Sequence, residues 1–133
     1  MPGAPKIDHD YSYAAVRDFY MPDVTALHYV LIKMNTITAL RVREDYNPNI
    51  LSDPAEVWVG DRGKVKERGD ELANRTKSVP LFVKKRGRRT YTFLGEYKVS
   101  GSVTTGPALT KARAAMKNVH EQGVSRIVFL KKV

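Results

Sequence analysis

Two runs, VPLFVKK over residues 79–85 and TYTFLGEYKVS over residues 90–100, constrain the fold of this chain more than any other feature. Both are dense in β-branched and aromatic residues and both have the length of a strand. In the second run Tyr91, Phe93, Gly95, Tyr97 and Val99 alternate with Thr92, Leu94, Glu96 and Lys98, the two-residue period of a strand whose faces meet different surroundings. The tetrapeptide RGRR lies between the runs, with Gly87 placed to supply a positive φ, so the segment predicts an antiparallel hairpin. The middle of the chain is thereby committed to a sheet.

Other strands follow from the same reading. ALHYVLIKM (26–34) and TITALRVRE (36–44) predict two strands around a tight turn at Asn35, EVWVG (56–60) a short strand, and VSRIVFLKKV (124–133) a terminal one. TTGPALTKARAAMKNVHEQG (104–123) predicts a long helix over about 107–122, with Thr105 as cap, Pro107 in the first turn and Gly123 as the stop. Leu109, Ala112, Met116 and Val119 give it an apolar stripe that faces the sheet. A shorter helix, capped by Asp10 or Ser12, runs through about Tyr20 and ends at Met21-Pro22.

The connections are less regular. Residues 1–12, with Pro2, Gly3 and Pro5, predict a flexible arm, and 45–56, with two prolines, a loop. The glycine-bounded segment 61–78 predicts no more than a helical turn or two, around Asp70 to Asn74. The sum is an α+β chain with one domain over 13–133 and no internal repeat.

Composition sets the class. With 133 residues, 42% apolar and 28% charged, the chain has enough apolar surface to fold as one domain without staples. It has no cysteine, which excludes a disulfide framework, a thiolate nucleophile and Cys-based metal sites. No apolar stretch approaches the roughly 20 residues of a membrane span, and the first residues lack the layout of a signal peptide. The expectation is a soluble, intracellular protein, nuclear if the source is eukaryotic.

A net charge of +9 is the most informative bulk property, because it draws polyanions over long range. Lys84, Lys85, Arg86, Arg88 and Arg89 concentrate that charge on the hairpin connection, where long side chains can straddle a phosphate backbone. A solvated turn is the simpler alternative. Arg62, Lys64, Lys66 and Arg68 precede the hairpin in the chain, and if they lie on the same side the two segments make one continuous basic patch.

Aromatic residues are interleaved with this charge. Trp58 and Tyr91 border polar segments, and together with Tyr97 they are candidates for a pocket that stacks an unpaired base. Asp61 or Asp70 could accept from a cytosine amino group, although surface pairing with nearby cations is the commoner role of such carboxylates. Catalysis has little support: His9, His28 and His120 have no metal-ligand spacing, and there is no nucleophile elbow, P-loop or dinucleotide fingerprint. No cofactor or metal is expected.

VPLFVKK, TYTFLGEYKV and the terminal RIVFLKKV resemble the corresponding strands of SRA (SET- and RING-associated, or YDG) domains and of the wider PUA-like superfamily. EVWVG and GDELA are similar to a group of uncharacterised fungal domains with the same strand pattern. The resemblance covers about a third of the chain, and no pocket residue of the family carries over to a numbered position here. It implies a curved, partly closed β-barrel flanked by helices that binds DNA through basic loops, with a modified base flipped into an aromatic cleft in some members. The leading expectation is therefore a non-enzymatic nucleic-acid-binding domain that engages double-stranded DNA. RNA, or an acidic protein docked on the basic surface, is the alternative partner.

Overall fold

The computed structural model describes residues 4–23, 29–117 and 123–133. His28, His120, the first three residues of the arm and the expected helical residues 118–122, with Val119, lie outside them.

Among the described residues, seven strands and three helices follow in the order β1 (Asp10–Tyr11), α1 (Tyr13–Tyr20), β2 (Val30–Lys33), β3 (Thr36–Arg43), β4 (Ala55–Gly60), α2 (Gly63–Ala73), β5 (Val79–Lys84), β6 (Tyr91–Val103), α3 (Pro107–Met116) and β7 (Val124–Lys132). The sheet runs β2-β3-β5-β6-β7-β4 and curls into a partly open barrel. The architecture is α+β, as the sequence predicts. β3 and β5 are parallel because β4 and α2 intervene between them, and the remaining pairs are antiparallel.

The tight turn after β2 uses Met34 and Asn35, both at positive φ (52° and 59°), the geometry of a two-residue hairpin turn. β6 is long enough to serve two partners. Its first half pairs with β5 and its second half with β7, and β1 lies on the edge of the first half where β7 has ended. Residues 8–11 of the expected arm are tied down there: Asp8 N–H donates to the Phe93 carbonyl at 2.7 Å, and Phe93 N–H returns a bond to the His9 carbonyl at 3.0 Å.

Apolar side chains sort into three layers. The barrel interior holds Leu40, Val42, Val57, Leu81, Val83 and Leu130, closed at one end by Leu72 of α2. α1 covers one outer flank, packing Val16 on Leu31, Ala39, Phe82 and Phe93. α3 covers the other through Leu109, Ala112 and Met116, on Ile127 and the half-buried Trp58, Val103 and Phe129.

Three expectations are corrected. Alternation along β6 does not hold one face throughout, because a bulge falls where Leu81 opposes Gly95 and Phe82 opposes Phe93. An extra residue switches the side chains to the other face. Tyr91 and Phe93 therefore join the α1 layer while Tyr97 and Val99 pack on the interior, with Gly95 taking the φ of 108° at the irregularity.

The segment after β4 is a full helix, not a turn or two. The half-buried Val65 and the buried Gly69 and Leu72 form its inward stripe, and Gly69 is demanded by contact: a Cβ there would collide with the Val59 side chain. At α3 the cap is Gly106 (φ 105°) rather than Thr105, followed by Pro107 in the first turn. α1 is capped by Ser12, whose hydroxyl accepts from Ala15 N–H at 3.1 Å, and it ends at Met21 as expected.

Candidate nucleic-acid interface

The basic hairpin is a projection held at its base. The Lys84 carbonyl accepts from Glu44 N–H (3.0 Å), the Glu44 carboxylate accepts from Arg86 N–H (2.9 Å), and Arg88 pairs with Asp10 at 3.3 Å. Gly87, at φ 75°, makes the turn, closed by Arg88 N–H donating to the Lys85 carbonyl. Two carboxylates from distant parts of the chain thus fix a loop whose own side chains are cationic.

Charge at this end extends beyond the hairpin. Arg43 lies beside Lys84 in the parallel register, pairs with Asp45 at 3.7 Å and sits 5.3 Å from the Tyr46 ring centroid. Arg41, two residues back on the same face, lies 4.5 Å over the Tyr13 ring and donates to the Tyr91 hydroxyl. Among the described residues Lys84, Lys85, Arg86 and Arg89 make no ion pair, so their charge is available to solvent. Arg41 and Arg43 add to the cluster only when β3 is seen beside β5; the alternation in TALRVRE is the sequence signal that places both on one face.

The second basic segment lies elsewhere. α2 docks at the opposite end of β3, where Arg68 reaches Asn35 (3.2 Å) and Glu71 accepts from Ile37 N–H (3.1 Å). Ile37 and Arg43 are six residues apart on one strand, which is about 20 Å. The two segments do not form a continuous patch. The cations around α2 are also matched to carboxylates: Arg62 to Asp61 (3.9 Å), Lys64 to Glu67 (3.1 Å), Lys66 to Asp70 (3.4 Å) and Arg68 to Glu71 (2.7 Å).

The four pocket candidates are dispersed across the layers. Trp58 stands on the α3 flank, its indole N–H on the Glu56 carboxylate at 3.0 Å. Asp61 is exposed beside Arg62. Tyr91, 5% exposed, is packed under α1, and Tyr97 leans on the barrel interior, where burial first and the charges of Asp53 and Asp8 second push its phenol pKa upward. Asp70 is shared between Lys66 and Arg126. These side chains are occupied in packing or pairing.

No family model, curated protein or solved structure matches the chain. Among the described residues no helix is long and apolar enough to cross a membrane.

Proposed function

We propose that this chain is a nucleic-acid-binding domain that holds duplex DNA by its phosphates through the 84–89 hairpin. One observation carries the reading: the hairpin is anchored by Glu44 and Asp10 while Lys84, Lys85, Arg86 and Arg89 keep no carboxylate partner, whereas the cations of α2 are paired one by one. A cation beside a carboxylate presents a phosphate with that negative charge as well, so its net attraction is smaller. Unpaired cations on a fixed projection release counterions from a duplex without first giving up a carboxylate partner.

A PUA-like, SRA-related barrel is the finer form of this reading, supported by the strand resemblance and by the partly open, helix-flanked sheet. A flipped base receives less support, because Trp58, Tyr91 and Tyr97 belong to three different packing layers. Contact with the phosphates is the part of the reading that the geometry favours.

The test is anisotropy of a labelled duplex between about 50 and 200 mM salt, comparing wild type with a Lys85→Ala, Arg86→Ala, Arg89→Ala variant. Each lost phosphate contact lowers the slope of log affinity against log salt by about 0.9, so the variant is expected to lose between two and three slope units. Equal slopes for the two proteins would sink the proposal.

A further inference from the structure

The outer face of β6 and β7 carries a second cationic site, separate from the hairpin, and Glu56 of β4 borders it across the ladder from Phe129. After Glu96 the sequence holds seven Lys and Arg residues and one carboxylate, Glu121. Two of those lysines, Lys98 and Lys131, face each other directly across the β6–β7 ladder, and both are exposed. Neither forms an ion pair with a described carboxylate. Like charges placed opposite each other cost stability. A polyanion across the pair would reverse that cost.

The same face offers a ring next to open space. Leu130 is buried in the interior, so Phe129 and Lys131 point outward together, and Phe129 is half-buried on the α3 layer. Its partner across the ladder is Gly101. Gly101 follows the irregularity of β6 after Val99, yet its φ is not left-handed and a Cβ there would have no neighbour within 4 Å, so no close contact demands glycine. A strand glycine marks a bulge or a place where something approaches the surface, and one that no contact demands leaves room for such an approach. Here it leaves the space beside the Phe129 ring uncovered.

We infer that this face binds single-stranded nucleic acid, with a base stacked against Phe129 over Gly101 and the adjoining phosphates on Lys98 and Lys131. The inference rests on the reading of the chain as nucleic-acid-binding, but it uses a different surface and a different form of the polymer. An unpaired base has a free face for an aromatic ring, while the bases of a duplex are stacked on one another.

The test uses the full chain and anisotropy with three labelled probes: a thymidine strand of about 12 nucleotides, an abasic strand with the same phosphates, and a duplex. Wild type is expected to bind the thymidine strand at least about tenfold more tightly than the abasic one, a difference of about 1.4 kcal/mol. Gly101→Val fills the open space with a residue that strands favour, so it should keep the melting temperature and duplex affinity of wild type and bring the two strands within about twofold. Phe129→Leu, which keeps an apolar side chain and removes the ring, should do the same.

Retention of the full preference by both variants would overturn the inference, as would a wild type that does not distinguish the two strands. So would polyglutamate binding as tightly as the thymidine strand, since the face would then suit an acidic protein. Unchanged duplex binding by the hairpin variant Lys85→Ala, Arg86→Ala, Arg89→Ala defeats only the duplex proposal. The Phe129 and Gly101 comparison decides the single-strand surface in either case.

Discussion

Trp58 donates its backbone N–H to the side-chain oxygen of Asn47, 2.7 Å away, and so the outer edge of β4 is closed by a loop. Asn47 is buried, and its amide nitrogen donates in turn to the Arg43 carbonyl at the end of β3 (3.0 Å). Two residues earlier, Glu56 N–H donates to the Asn49 carbonyl at 3.2 Å. The outward amides of β4 at 56 and 58 are therefore both satisfied, which removes a template for edge-to-edge pairing. A segment that reads as an irregular loop is the edge cover of the sheet.

Asn47→Ala should remove both bonds, leaving the Trp58 edge N–H without a partner and the Arg43 carbonyl with the Tyr46 N–H (3.2 Å) alone. The expected cost is about 1–3 kcal/mol, or a fall in melting temperature of several degrees. Hydrogen exchange at the Trp58 amide should accelerate more than at Val57, whose amide points to β7. Equal acceleration at both would mean that the side chain acts through global stability alone.

Gly69 should behave against its helix propensity. Alanine in a helix interior is favoured over glycine by about 1 kcal/mol, yet here the added methyl would lie 2.2 Å from Val59 Cγ1 and 2.8 Å from Cγ2. Gly69→Ala is expected to destabilise by about 1–3 kcal/mol through overpacking. The double variant Gly69→Ala, Val59→Ala should lose less than the sum of the single changes, because the second makes room for the first. Additive losses in denaturant unfolding would show that α2 does not bear on Val59.

Much of the sheet was legible because its strands have two-residue periods and its turns have turn chemistry: Asn35 and Gly87 sit where they were expected. What was not legible depended on contacts between distant segments. The helix over 63–73 was hidden by Gly69, a poor helix former that only Val59 explains, although the 3- and 4-residue spacing of Lys64–Glu67, Lys66–Asp70 and Arg68–Glu71 carried the signal. The face switch in β6 was hidden because a bulge is a property of two strands in register, and Gly95 is its one local trace. At the candidate site, sequence proximity joined 62–68 to 84–89, while β3 separates them. Arg43, forty-one residues before Lys84, is the cation that stands beside it.

That separation makes the two basic segments unequal in solution. Lys64→Ala with Lys66→Ala removes charges already matched by Glu67 and Asp70, and it should leave the salt slope for duplex binding within half a unit of wild type. Lys85→Ala, on the hairpin and without a carboxylate partner, should lower it by about 0.9. Titrations at three or more salt concentrations measure both. A larger loss from the α2 pair than from Lys85 would move the duplex surface to the other end of the barrel.

Tyr29 gives the fold an alkaline limit. Its hydroxyl donates to the Val65 carbonyl at 3.2 Å, and its ring packs on the barrel interior. Burial first, and the charges of Asp70 and Glu71 second, hold its phenol pKa far above the ordinary value. Burial and Glu96 do the same to Tyr20. Because folding raises these pKa values, the folded state favours the protonated phenols. Their contribution is fully present below about pH 10, the unfolded value, and is lost as pH climbs from there through the folded values. Tyr29→Phe should cost about 1 kcal/mol near neutral pH for the lost hydrogen bond. It also removes a group that must ionise on alkaline unfolding, so the stability gap to wild type should narrow steadily above about pH 10. Melting curves across that range decide it, since a gap that stays constant would mean that Tyr29 does not set the alkaline limit.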